Sequence, residues 1–189
     1  MSVQASSVQT LVSKLKEQTW VDLTHSFGPE SPRFPEFQPA EFKTLFTHAD
    51  GFFVKEYTFP GQYGTHIDPP VHFYKDDERY VEDLALKDLV LPLVVIDLHQ
   101  EVAENPDRSL TVKDIQAWEK KHGEIPAGSL VALRTHWGKR WPSQEKFENK
   151  DAHGQNHYPG WSLDALKYIY ETRHATANGH ETFDTDTAT

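Results

Sequence analysis

Residues 62–72, Gln62-Tyr63-Gly64-Thr65-His66-Ile67-Asp68-Pro69-Pro70-Val71-His72, bring two imidazoles, a carboxylate and a carboxamide into one short stretch. Run as extended backbone, this stretch turns Gln62, Gly64, His66 and Asp68 to one face, because successive side chains of a strand alternate. An imidazole nitrogen and a carboxylate oxygen two positions apart on one face can grip a single divalent ion at about 2.0–2.2 Å. Gly64 leaves room for backbone or ligand to come close. Pro69-Pro70 stiffens the exit and turns the chain, which returns His72 toward the same place. A His beside an ion, rather than on it, is placed to shuttle a proton for a metal-activated water. The same residues admit a plainer reading, in which His66 and Asp68 are a surface pair and the prolines end an edge strand.

Those residues sit in a chain of 189 residues with no cysteine, which excludes disulfide scaffolds, thiolate metal sites and cysteine nucleophiles. Eleven His in such a chain raise the expectation of an N/O-type metal site or of imidazole acid–base chemistry. With 19 Lys+Arg against 29 Asp+Glu the net charge is −10 and no basic cluster stands out, so nucleic acid is not an expected partner. No apolar run approaches the ~20 residues of a membrane span. The start lacks the apolar stretch of a secretory signal. A cytoplasmic protein with no membrane partner is the expectation. There is no G-x-S-x-G and no Gly-rich phosphate loop.

The elements that must position the stretch read as follows. Val8, Leu11, Val12 and Leu15 keep helical spacing behind Ser6 or Ser7, giving a helix within residues 1–18. Trp20 to Thr24 reads as a strand. His25 to Gln38 carries Pro29, Pro32 and Pro35 and reads as an irregular loop. Phe52 to Phe59 reads as a strand, and Leu89 to Leu98 as one buried on both faces. Thr111 and Asp114 form a capping pair for a helix that Gly123 ends. Ser129 to Thr135 is a further strand, and residues 136–160 a long loop. Ser162 caps a last helix, and His174 to Asn178 begins a last strand. Helices and strands mix without strict alternation, so the class is α/β with a mixed sheet, in one domain over residues 1–189.

The run Gly64 to His72 resembles the signature of the cyclase family, H-x-G-T-H-x-D-x-P-x-H, whose members include bacterial kynurenine formamidase and isatin hydrolase. Trp20-Val21-Asp22-Leu23-Thr24-His25 with the following proline loop resembles the family's opening segment. Leu93 to Leu98 resembles its central apolar strand, and Ile125 to Thr135 with Trp137 its strand ending in Thr-Gly-Trp. Together these cover most of residues 20–186. The resemblance implies a swivelling β/β/α fold with a mixed sheet flanked by a few helices, a homo-oligomer, and a divalent metal, zinc or manganese. It implies hydrolysis of an aryl-formamide or cyclic amide, so the expected partner is a small aromatic amide. By position, His66 and Asp68 become metal ligands and His72 the catalytic His.

Three departures bear on that reading. Gln62 stands where the family has His, and a neutral amide oxygen suits manganese or magnesium better than zinc. His136 stands where the family has Gly. The chain ends at Thr189, before the region that supplies a further His and Glu in the formamidases, so part of the family domain is expected to be missing.

Among the remaining candidates, His25 precedes the proline loop where the family places substrate-facing groups. Phe34, Tyr63 and Trp137 are expected to line a pocket for a flat substrate, although aromatics of this kind are more often core. His153 and His157 read as a solvated loop, because Gly154 and Pro159 oppose a helix. His180 and Glu181 can approach the site if the strands converge there. The leading function is metal-dependent amide hydrolysis, with Gln62, His66 and Asp68 holding the ion. The alternative is a non-catalytic relative that keeps the fold as a binding or assembly module.

Overall fold

The computed structural model describes residues 7–188; Ser6, the other candidate cap of the first helix, lies outside them. Helix α1 (Ser7–Lys16) forms as the spacing predicts, but none of its residues is buried. A hairpin follows, β1 (Glu41–Phe46) against β2 (Val54–Thr58), antiparallel. The Asp50 carboxylate closes its connection by accepting from Thr47 N at 2.9 Å, and Gly51 at φ 93° takes the left-handed turn that a Cβ would oppose.

The centre is a parallel three-stranded sheet ordered β3 (Leu93–Asp97), β5 (Leu130–Arg134), β7 (Ala177–Gly179). A short parallel pair, β4 (Ser109–Leu110) with β6 (Gly160–Trp161), lies apart from it. Helices α2 (His99–Glu104), α3 (Val112–His122), α4 (Gln144–Glu148) and α5 (Leu163–Lys167) complete the α/β arrangement.

Local chemistry sets the helix starts. Thr111 and Asp114 cap α3 reciprocally, Thr111 N donating to the Asp114 carboxylate at 2.8 Å. Ser143 Oγ and Ser162 Oγ accept from the third residue of α4 and α5. One carboxylate then fastens α3 to the end of the α5 region. Glu119 accepts from Arg173 Nε at 2.6 Å, Tyr168 Oη at 2.9 Å and Ile125 N at 3.2 Å.

The core draws on residues 94–175: Ile96, Leu110, Ile115, Val131, Leu133, Trp137, Trp161, Ala165 and Ile169 are its most enclosed members. Gly160 lies against the C-terminal segment so closely that a Cβ would strike the Asp186 carbonyl group, and Phe183 packs on the same core.

Several sequence expectations need correction. Trp20 to Thr24 is not a strand: Asp22 accepts from Thr24 N at 2.9 Å, a local turn that competes with ladder pairing, and Trp20 stays exposed. The apolar run at 89–98 contracts to β3 and is buried on one face only. Val94 and Ile96 point into the core, whereas Leu93 and Val95 are 52% and 39% exposed, because β3 is an edge strand with its second face open. Strand β1 had no counterpart in the sequence reading. The loop 136–160 contains α4 and the start of β6.

The two halves of the chain differ sharply in burial. Between residues 7 and 92 only Ser31, Pro32, Ala40 and Tyr63 are buried, while Phe73, Leu86 and Val90 are more than four-fifths exposed. The accessible surface of 13447 Å² exceeds the roughly 9,200 Å² of a compact monomer of 21.7 kDa.

His157 closes the long loop by bonding the Asp107 carboxylate at 2.7 Å, with Asp151 3.7 Å from its other nitrogen. The Asp107 hydrogen bond raises the imidazole above its ordinary value. A raised folded value means that this contact contributes fully below about pH 6.5 and is lost as pH rises through the folded titration. Hydrogen exchange of residues 149–158 is therefore expected to speed up above neutrality in the native protein, beyond the intrinsic base dependence, and Asp107→Asn should abolish that extra step.

Candidate active site

Residues 62–68 do not form a strand. Gly64 at φ 69° breaks the alternation, and Pro70–His72 make a single 3₁₀ turn after Pro69. The functional groups converge nonetheless, through Asp68. Its Oδ1 lies 3.5 Å from His66 Nε2 and 3.9 Å from His72 Nε2, and the Gln62 side chain is near enough to help lower the same carboxyl. The two prolines thus return His72 to the place where the sequence needs it. His66 Nδ1 lies 2.8 Å from Gly64 O, a contact that an N–H on Nδ1 satisfies, and Nε2 faces the Asp68 carboxylate.

The electrostatics follow the geometry. The His66 contact, with help from His72 and Gln62, holds the Asp68 carboxyl below the usual range. The Asp68 carboxylate raises His66. His180, one residue beyond β7, is half-buried, with Nδ1 3.3 Å from Thr182 Oγ1 and Nε2 3.5 Å from Thr185 Oγ1, and loss of hydration pushes its imidazole down. The charges of Asp68 and His66 act on it more weakly. Glu181 instead turns to β5, accepting from Thr135 Oγ1 at 2.9 Å and Gly138 N at 3.1 Å.

A cleft of about 480 Å³ opens over this cluster, walled by Gln62, His66, His72, Tyr80, Val81 and Glu82 among others. Tyr80, Val81 and Glu82 were missed in the sequence, and no spacing signal ties them to the motif. The expected aromatic wall is corrected. Tyr63 is 3% exposed, its hydroxyl accepting from Ala40 N and donating to Gly28 O, so it props the proline loop. Trp137 is 1% exposed, with Nε1 donating to Phe147 O, and belongs to the core. Phe34 packs against Phe37 away from the cleft. His25 stacks on Trp141 at 4.5 Å, while its backbone N donates to Thr65 Oγ1 beside the motif.

Among the described residues no three His, Cys, Asp or Glu side chains are gathered as a ready metal cage. The donor chemistry nevertheless fits a divalent ion. Two donors on one tetrahedral ion at about 2.1 Å stand roughly 3.4 Å apart, and His66 Nε2 and Asp68 Oδ1 are separated by 3.5 Å.

The chain belongs to the cyclase family: residues 21–187 match its family model, described as "Putative cyclase". It is similar to an isatin hydrolase of Roseibium aggregatum, 37% identical over 184 residues that take in 89% of this chain and 69% of the relative. In structure it is similar to an isatin hydrolase bound to the product analogue thioisatinate, with TM-score 0.90 and 32% identity over 100% of this chain and 76% of that one. It is also similar to isatin hydrolase A of Labrenzia aggregata bound to benzyl benzoate, with TM-score 0.88 and 31% identity over 97% and 76% of the two chains. No helix among the described residues is long and apolar enough to cross a membrane.

Glu181→Ala leaves Gly138 N and Thr135 Oγ1 without their acceptor, and should cost roughly 1–3 kcal/mol in urea unfolding. Glu181→Gln, which keeps an acceptor oxygen, should recover most of that loss.

Proposed function

We propose that this chain hydrolyses an amide C–N bond of a small, flat substrate, a cyclic amide or an aryl-formamide, with a divalent ion held by His66, Asp68 and Gln62. The observation that carries this reading is the Asp68-centred cluster, in which His66 and His72 stand 3.5 and 3.9 Å from one carboxylate and both line an open cleft. Membership of the cyclase family and identity to isatin hydrolases support the bond type.

His66, Asp68 and Gln62 would hold the ion, whose chemistry there would be to polarise the substrate carbonyl and to acidify a water toward neutral pH. The chain's own residues supply the rest. The Gly64 carbonyl, 2.8 Å from His66 Nδ1, favours the tautomer that leaves Nε2 free to bind. His72, at the outer edge of the cluster, accepts the water proton as the water oxygen attacks the carbonyl carbon. It returns that proton to the nitrogen as the C–N bond breaks, leaving an amine and a carboxylic acid that gives up its remaining proton to solvent. The Gln62 oxygen, a harder donor than the imidazole of the family pattern, favours manganese over zinc.

We further propose that the protein works as a homo-oligomer. The exposed apolar half and the surface in excess of a compact monomer support this, since obligate interfaces bury roughly 2,000–5,000 Å².

Three measurements check the reading. Metal analysis of protein purified without chelator should give near-stoichiometric ion, and hydrolysis of an isatin-like lactam or an N-formyl arylamine should respond to added manganese or zinc. Substoichiometric metal with no rescue would overturn it in favour of a binding module. His66→Ala should lose ion and activity together. His72→Ala should keep the ion and lose roughly 10²–10⁴-fold in kcat. Light scattering should give a mass of at least twice 21.7 kDa at micromolar concentration; a monomer would refute the assembly.

A further inference from the structure

A second cluster lies at the carboxyl ends of β3 and β5, on the sheet face opposite the core. Asp97, Arg134 and His136 project there, joined by His99 and Lys139. Asp97 is fully engaged: Oδ1 contacts His99 Nδ1 at 2.7 Å, and Oδ2 accepts from Arg134 Nη1 at 2.7 Å. The remaining groups carry positive charge or imidazole. Arg134 Nη2 lies 2.5 Å from His136 Nε2, Lys139 Nζ lies 3.0 Å from His136 Nδ1, and the His99 and His136 rings sit 4.2 Å apart. Counting Arg134, Lys139 and Asp97 with both His neutral, this patch is net positive in a chain of net charge −10.

His136 cannot satisfy both of its neighbours. Loss of hydration, with Lys139, Arg134 and His99 nearby, pushes its imidazole below the usual range, so the ring is neutral near pH 7. A neutral imidazole has one lone pair and one N–H. One of the two cationic donors therefore faces an N–H, and two donors share a direction with no acceptor between them. An oxyanion resolves this: it accepts from the imidazole N–H and from the displaced ammonium or guanidinium together. The backbone holds the ring in place, since His136 adopts φ 60°, a left-handed conformation that non-glycine residues take only when their surroundings require it. The location is apt as well, because open parallel sheets bind ligands beyond the carboxyl ends of their strands.

We propose that Arg134, His136 and Lys139 form a binding site for a small oxyanion, a carboxylate or a phosphate, separate from the Asp68 cleft. Carboxylate and phosphate share the chemistry that the cluster reads, and two probes distinguish them. Inorganic phosphate and benzoate are titrated separately into the intact protein by calorimetry, with the His ring nitrogens followed by NMR. Saturable binding of at least one probe at millimolar concentration or below is expected, with the His136 resonances moving. His136→Gly suits the left-handed backbone and so keeps the fold. Together with Lys139→Ala it should weaken that binding at least tenfold. Binding of equal strength in this double variant overturns the proposal. So does the absence of binding to the wild type at about 10 mM of either probe. Binding that vanishes in His66→Ala while surviving in the double variant would place the anion in the cleft instead, and equally overturns it.

Discussion

The Glu181 carboxylate is the clasp on which both sides of the sheet depend. It reaches back from the end of β7 to Thr135 and Gly138 at the end of β5, at 2.9 and 3.1 Å. The register Ala132↔Gly179 brings these ends together, and the carboxylate locks them. Trp137 N donates to the same Thr135 hydroxyl, so the turn into the core is fixed by one shared oxygen. Because His136 sits inside that turn, its left-handed backbone is imposed by bonds on either side of it. Because His180 precedes Glu181, the clasp also fixes the backbone that carries its imidazole, whose Nδ1 and Nε2 face Thr182 Oγ1 at 3.3 Å and Thr185 Oγ1 at 3.5 Å. One carboxylate thereby sets the backbone of two histidines.

The motif and the helix caps were legible because their determinants are local. Pro69-Pro70 must turn the chain, Thr111 and Asp114 must cap α3, and both outcomes follow from residues at most a few positions apart. The same locality explains the error at residues 62–68. Alternation put Gln62, His66 and Asp68 on one face, whereas Gly64 turns left-handed and the groups meet around the Asp68 carboxylate instead. The roles of Tyr63 and Trp137 were not legible, since each is decided by a distant backbone carbonyl, Gly28 O for one and Phe147 O for the other. An aromatic ring with a polar handle suits a pocket wall and a core equally well until its partner is known. The open face of β3 was invisible for a related reason. A run of Leu, Val and Ile states that a strand is apolar, but not how many layers cover it.

The contrast between the halves of the chain has a physical consequence for the site. Residues 94–175 supply the packed core, and Asp68 and His72 belong to the half that buries almost nothing. The half that holds the cluster is tied to the packed part through the stacking of His25 on Trp141, the hydrogen bonds of Trp141 Nε1 to Ser26 at 3.2 Å, and the pair formed by Gln144 with the Arg33 backbone at 2.9 and 2.8 Å, while His25 N to Thr65 Oγ1 carries these ties on to the motif. These contacts carry the load that a continuous core carries elsewhere. A surface that covers the exposed aromatic half would also stiffen the cleft, so assembly and catalytic precision would be linked through the same residues.

Gln62 shows how the cluster tolerates its departure from the family pattern. Replacing an imidazole by a carboxamide removes a strong donor but changes no charge, since the imidazole would be neutral as a ligand. The cluster keeps one carboxylate, Asp68, and its single negative charge against a dication. What changes is the character of the first partner. The Gln62 amide helps to keep the Asp68 carboxyl ionised, so in the proposed site it would steady the carboxylate as well as offer an oxygen. An imidazole at that position would offer nitrogen to the ion at the expense of this support. In the proposed ion site, Gln62 would therefore give up some affinity for the ion and contribute instead to the orientation of Asp68.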